Sequence, residues 1–130
     1  MRILITGSRN WGNPHAVEDA ILGALYSAEV SPYDEDVVIV HGDCLTGADV
    51  AADLIARRWA FEIEAWPADW TSHGKAAGPI RNQQMVNAGA DLCLAFPLGE
   101  SRGTRDCMRR ADAAGIPVLN YGDKLDNAID

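Results

Sequence analysis

Five short runs rich in branched apolar residues, Ile3 to Thr6, Val37 to His41, Phe61 to Trp66, Leu92 to Phe96 and Pro117 to Asn120, recur along the chain with a helix-length segment in every gap. Several of them are close to continuously hydrophobic, the pattern of strands covered on both faces, not the alternation of a half-exposed sheet. Strands of that kind need helices on either side. Asn13 and Pro14 supply a cap and a first-turn proline, after which Val17, Ile21, Leu25 and Ala28 recur at spacings of four and three. A second helix is predicted from near Thr46, with Ala48, Ala51, Ala52, Ile55 and Trp59 on one stripe. A third opens at Gly78 and Pro79 and runs to Gly89, and a fourth runs from near Thr104, as N-cap, to a left-handed cap at Gly115. Alternation with right-handed crossovers predicts an α/β fold: one Rossmann-like three-layer domain over 1–130, with a mainly parallel five-stranded sheet and a ligand crevice beyond the carboxyl ends of its strands.

The size, 130 residues, suits one domain with its own core. A formal net charge of -8 sets a field that repels polyanions, so nucleic acid is not the expected partner; a phosphate needs only a few amides and one or two Arg in a local pocket. Cys44, Cys93 and Cys107 are odd in number and lack paired spacing, which argues against a disulfide framework or a zinc site and for a reducing compartment. No metal and no cofactor is expected. The apolar run at Met1 to Ile5 is short for a signal peptide and no stretch reaches about 18 apolar residues, so the expectation is a cytoplasmic protein without a membrane partner. Ser31 to Asp36 reads as a surface turn and Gly122 to Asp130 as an acidic tail.

The loops that follow strands carry the chemistry. After the first strand, Gly7 allows close backbone approach, and Ser8 and Arg9 offer donors to an anion. After the second come His41, Gly42, Asp43 and, before a helix, Gly47 and Asp49. Gly42 and Gly47 have the glycine spacing of a Walker A loop, but Ala48 and Asp49 stand where its Lys and Ser/Thr belong, which removes the charge clamp of nucleotide hydrolysis. A dinucleotide fingerprint is missing too: no GxGxxG follows the first strand and the second ends in His41, not in a ribose-binding acid. Between strands three and four a long segment presents Trp70 as a stacking surface and Lys75 as a cation, then Arg81 and Asn82, expected in a helix's first turn at the positive end of its dipole. After strand four, Gly99, Ser101, Gly103 and Thr104 form an anion nest.

In that order, the Thr6–Arg9 segment, His41-Gly42 with Gly47-Ala48-Asp49, Ala68-Asp69-Trp70 with His73-Gly74-Lys75, Ala77 to Asn82, and Gly99 with Gly103-Thr104 resemble the SLOG superfamily, specifically its YspA-like branch, related to cpYpsA, over nearly the whole chain. The resemblance implies a nucleotide or nucleotide-derived ligand such as AMP, ADP-ribose or an NAD-like molecule, and a homodimer, with Trp59 or Trp70 as exposed interface aromatics. A more distant resemblance is to the Lonely Guy phosphoribohydrolases, which cleave nucleoside monophosphates with an Arg and a Glu. The Arg matches Arg81; the Glu of Gly-Thr-x-x-Glu falls on Cys107, so hydrolysis would need Asp106, or Asp43 or Asp69 from neighbouring loops. Three classes therefore stand, in this order: a binding or sensing module, a hydrolase using Arg81 and Asp106, and a DNA-processing-type binder, which the acidic composition opposes.

Overall fold

The computed structural model describes residues 1–124. Its elements in chain order are β1 (Arg2–Gly7), α1 (Pro14–Ser27), β2 (Val38–His41), α2 (Ala48–Trp59), β3 (Glu62–Ala65), α3 (Trp70–His73), a 3-10 turn (Gly74–Ala76), α4 (Ala77–Ala88), β4 (Leu92–Phe96), α5 (Arg102–Ala113) and β5 (Val118–Asn120). The five strands form one all-parallel sheet in the order β3-β2-β1-β4-β5. The chain winds outward from β1 in one direction, then returns to its other side at β4, so the topological switch falls between β1 and β4, where ligand crevices open in sheets of this type.

Side-chain alternation explains the three layers. Ile3 and Ile5 of β1, with Ile39 and Leu94, belong to one buried cluster with Val17, Ile21 and Leu25 of α1 and Ala52 and Ile55 of α2. Leu4, Val40 and Cys93, one residue out of phase, meet Met85 and Val86 of α4 and Cys107 and Ala111 of α5 in a second cluster. Asn13 caps α1 by accepting from the Ala16 amide at 3.2 Å, with Pro14 at its first position. Gly115 takes the left-handed conformation (φ +79°) just beyond α5, as its position predicts.

Several expectations are corrected. β3, read as the apolar run Phe61 to Trp66, is shorter and is an edge strand whose Glu62 is exposed and whose Glu64 pairs with Arg2 at 2.7 Å, a charged edge that discourages further strand pairing. Helix α2 starts at Ala48 behind a Gly47 cap, two residues after Thr46. Helix α4 starts at Ala77, which moves Arg81 and Asn82 into its second turn. Helix α5 starts at Arg102 behind Ser101, so Thr104 is a buried first-turn residue and not the cap. Trp59, expected as an exposed aromatic, is only half-exposed: its indole N–H donates to Glu18 at 2.9 Å and its ring stacks on Phe61. Tyr121 to Asp123 run on from β5 as a strap, with the Tyr121 and Asp123 amides donating to the carbonyls of Ala95 and Pro97 at 2.8 and 2.7 Å. The rest of the expected acidic tail, residues 125–130, lies outside the described residues. No helix among the described residues is long and apolar enough to cross a membrane.

Candidate functional site

At the switch point the carboxyl ends of β1 and β4 and the starts of α2 and α5 enclose a cavity of about 410 Å³. Its first wall is the β1–α1 loop, where Gly7, Ser8, Arg9 and Asn10 line the space. Gly7 is required by close packing: a β-carbon there would lie 2.9 Å from the β-carbon of Phe96. The Ser8 carbonyl accepts from the Ala48 amide at 3.2 Å and so ties this loop to the head of α2. Gly47 serves the same junction, since at φ +79° it presses on the backbone of Ser8 and Arg9 without itself lining the cavity.

The second wall is the head of α5. Its first intrahelical bond runs from the Arg105 amide to the Ser101 carbonyl at 3.0 Å, and the amides of Arg102, Gly103 and Thr104 have no acceptor among the described residues. Ser101, Arg102, Gly103 and Thr104 all line the cavity. Their loop is held from behind. Arg105 is buried and donates to the carbonyls of Gly99, Glu100 and Asp123, while the Asp123 carboxylate accepts from the Gly99 amide at 2.9 Å. Gly99 therefore supports the nest without lining it.

The floor is polar and buried. Asp49, only 6 % exposed, faces the cavity and accepts from the Cys44 amide at 3.2 Å. Burial pushes its carboxyl up from the usual Asp value, against the opposing pull of His41, the Cys44 amide and Arg81. Arg81 lies over Gly42, where a β-carbon would come 2.6 Å from Nη1. Its Nη1 donates to the carbonyls of Gly42 and Trp66, and its Nε donates to Asn82 Oδ1 at 3.0 Å. Asn82 in turn donates to the Gly103 carbonyl at 3.1 Å and to Asp106 at 3.0 Å, so one chain of bonds joins three loops around the cavity.

A second cavity of about 490 Å³ continues beyond Arg81, sharing Arg9, Gly42, Cys44 and Arg81 with the first. Leu45, Pro67, Ala68 and Trp70 give it apolar walls, and Asp43 and Thr46 complete them. Trp70 is 56 % exposed and Leu45 88 %.

The structure thus gathers most of the residues singled out in the sequence: Gly7, Ser8, Arg9, Gly42, Asp49, Arg81, Asn82, Ser101, Gly103 and Thr104 at the first cavity, Asp43 and Trp70 at the second. His41 lines neither. It is 1 % exposed, its Nδ1 lies 3.0 Å from the Asp43 amide and its Nε2 2.8 Å from the Asp53 carboxylate, so the imidazole braces the β2–α2 loop. Lys75, exposed on the 3-10 turn, also lines neither cavity. Asp106 lies behind Asn82, paired with Arg110 at 2.8 Å. Its burial would raise the carboxyl, but bonds from Arg110 and Asn82 hold it below the usual range. Cys107 is fully buried among core side chains, and burial pushes its thiol up to about 11, the Thr6 hydroxyl and Arg81 opposing and Asp49 adding. Among the described residues Asp49 lines the first cavity, and Asp106 does not. Sequence reading did not select Asn10, Cys44, Leu45 or Arg102, although Arg102 sits inside the glycine loop and Cys44 between Gly42 and Gly47, where their positions alone were a signal.

Of the four non-glycine residues with positive φ among the described residues, Glu29 and Ala60 fall just beyond helix C-termini, an ordinary place for that conformation, whereas Asp43 (57°) and Ser101 (40°) stand at the two cavities.

A three-layer domain with an all-parallel 3-2-1-4-5 sheet and an arginine-lined cleft at its switch point is a Rossmann-like module. A sequence model described as the YspA, cpYpsA-related SLOG family matches residues 1–73, that is, β1 through α3. The chain is also 52 % identical over 132 aligned positions to the Gene 61 protein of Mycobacterium phage D29, an alignment covering 95 % of this chain and 98 % of that protein. The chain belongs to the YspA, cpYpsA-related SLOG family, and this membership suggests a nucleotide-related function. Arg81 and the α5 loop lie beyond the matched residues, so their part in the cleft rests on the geometry.

Proposed function

We propose that the cleft binds a nucleotide or nucleotide-derived small molecule, with its phosphate at the head of α5. The observation that carries this reading is the convergence at one 410 Å³ cavity of three helix-start amides that have no acceptor among the described residues with the exposed Arg9 and Arg102, in a chain whose net charge is -8. Positive potential is local here, which suits a small anion and not a polyanion. Native mass spectrometry of the purified protein, followed by a thermal-shift screen with AMP, GMP, ADP-ribose and NAD, tests it. Ligand at a hundredfold excess over its dissociation constant stabilises by about 2.7 kcal/mol. A salt-sensitive gel shift with duplex DNA, without any response to nucleotides, would overturn it.

Asp49 supports a second reading. A buried carboxylate facing the cavity beside Arg81 is chemically suited to stabilise positive charge on a ribose as an N-glycosidic bond breaks, or to activate water. On that reading the native protein releases base from nucleoside monophosphates at roughly 1 per second or faster, and Asp49→Asn abolishes the release. No release from any nucleoside monophosphate leaves binding alone.

A further inference from the structure

We infer that the second cavity is a base subsite selective for bases bearing an exocyclic amino group, and that Asp43 reads that group. The inference rests on the nucleotide reading above and says which nucleotides the site prefers.

The two cavities differ in chemistry. The first has amides and guanidinium groups; the second has Leu45, Pro67, Ala68 and Trp70, with Asp43 at its edge. Leu45 and Trp70 are large apolar side chains left exposed while lining the same space, and a flat aromatic ring between such walls removes both from water. Arg9, Gly42, Cys44 and Arg81 border both cavities, so a ligand with its phosphate at α5 passes them to reach the apolar walls.

Asp43 sets the selectivity. Its amide is committed to His41 Nδ1 at 3.0 Å, but its carboxylate forms no hydrogen bond or ion pair with any described residue. The left-handed backbone at φ 57° is held by a buried imidazole that is itself anchored by Asp53, so the strained turn has a fixed direction. An ionised carboxylate only accepts, so the base edge it meets must donate. Adenine offers its 6-amino group and guanine its 2-amino group beside N1–H. A ring without the amino group leaves Asp43 facing an edge that donates less or not at all.

Two matched pairs test this by titration calorimetry: AMP against purine riboside 5′-monophosphate, and GMP against IMP, the members of each pair differing only in one amino group. In at least one pair the amino-bearing nucleotide is expected to bind about tenfold tighter or more. Asp43→Asn, which adopts the left-handed backbone readily and so keeps the loop, is expected to reduce that ratio to about twofold or less. Trp70→Ala is expected to weaken both members of a pair by about tenfold and leave the ratio standing. Ratios near one for both pairs in the native protein overturn amino selectivity while leaving nucleotide binding intact. A ratio that survives Asp43→Asn overturns the role of Asp43. If none of the four nucleotides binds, the nucleotide reading itself fails and this inference fails with it.

Discussion

Arg81 rests on Gly42 with no room for a β-carbon between them: one built on Gly42 would lie 2.6 Å from Nη1 and 2.8 Å from the guanidinium carbon. The group it would strike is the far end of a flexible side chain, so Gly42→Ala is expected to displace the guanidinium and leave the sheet intact. Nucleotide affinity should fall about tenfold or more, the worth of one charge-assisted bond, and because Nη1 leaves the carbonyls of Gly42 and Trp66 the variant should lose up to about 1–3 kcal/mol of stability. Arg81→Ala should do more. It removes the donor to both carbonyls altogether, and the Nε donor to Asn82 Oδ1 with it, so its stability loss should be the larger of the two. Paired calorimetric and urea titrations of the two variants check both expectations.

Gly47 makes the opposite case. Its φ of +79° disfavours any β-carbon, and an added one would come 2.6 Å from Arg9 Cα, backbone that cannot swing aside. Gly47→Ala is therefore expected to cost about 3 kcal/mol or more, and to loosen the bond between Ala48 and Ser8 that joins the first two loops. A urea midpoint unchanged from the native protein would show that the two loops are not pressed together in solution.

The buried Asp49 carboxyl gives a pH dependence with a defined sign. Because burial raises its value in the folded state, the folded protein holds a proton that the unfolded chain has released over the interval between the ordinary Asp value and the raised one. Stability falls as pH rises through that interval, and the deficit persists above it. Asp49→Asn keeps an acceptor for the Cys44 amide and cannot ionise. Its stability relative to the native protein should therefore climb as pH rises from about 4, with the two converging in more acid solution. Glu18, Asp53, Glu64 and Asp106, all held below their usual values, favour the folded state in the opposite direction, but they are common to both proteins and cancel in the difference. Urea midpoints of both proteins from pH 4 to 8 provide the comparison.

Thiol chemistry probes the cleft directly. Cys93 and Cys107 are fully buried and burial pushes both thiols above the usual range, Cys107 to about 11, whereas Cys44 is partly exposed and lines both cavities. One fast-reacting thiol is expected in the native protein, and all three after unfolding. Saturating nucleotide should slow that single reaction. Equal labelling with and without nucleotide would put the ligand away from Cys44.

The order of strands and helices was legible in the sequence because apolar runs and helical stripes follow burial, and burial is what the doubly wound sheet imposes on every central strand. β3 was read less well, since Phe61 and Trp66 made an edge strand with exposed Glu62 look like a covered one. The glycine loops were legible because close backbone approach leaves few alternatives at Gly7, Gly42 and Gly47. Direction was not. Nothing in the spacing of His41 says that its ring turns inward to Asp53, and nothing in Gly-Thr-Arg-Asp-Cys says that Asp106 sits behind Asn82 while Asp49 reaches the cavity from another element. The strap through Asp123 was invisible for the same reason: its bonds to Gly99 and Arg105 join residues 24 and 18 positions apart.

Amide chemical-shift mapping of the native protein titrated with AMP and GMP tests the nucleotide site most directly. Saturable shifts are expected for Ser8 and Arg9, for Gly42 to Cys44, and above all for Arg102, Gly103 and Thr104, whose amides have no acceptor among the described residues. Residues of α1 far from the cleft, such as Tyr26, should stay still. Shifts confined to other surfaces, or none at millimolar nucleotide, would contradict a phosphate held at the head of α5.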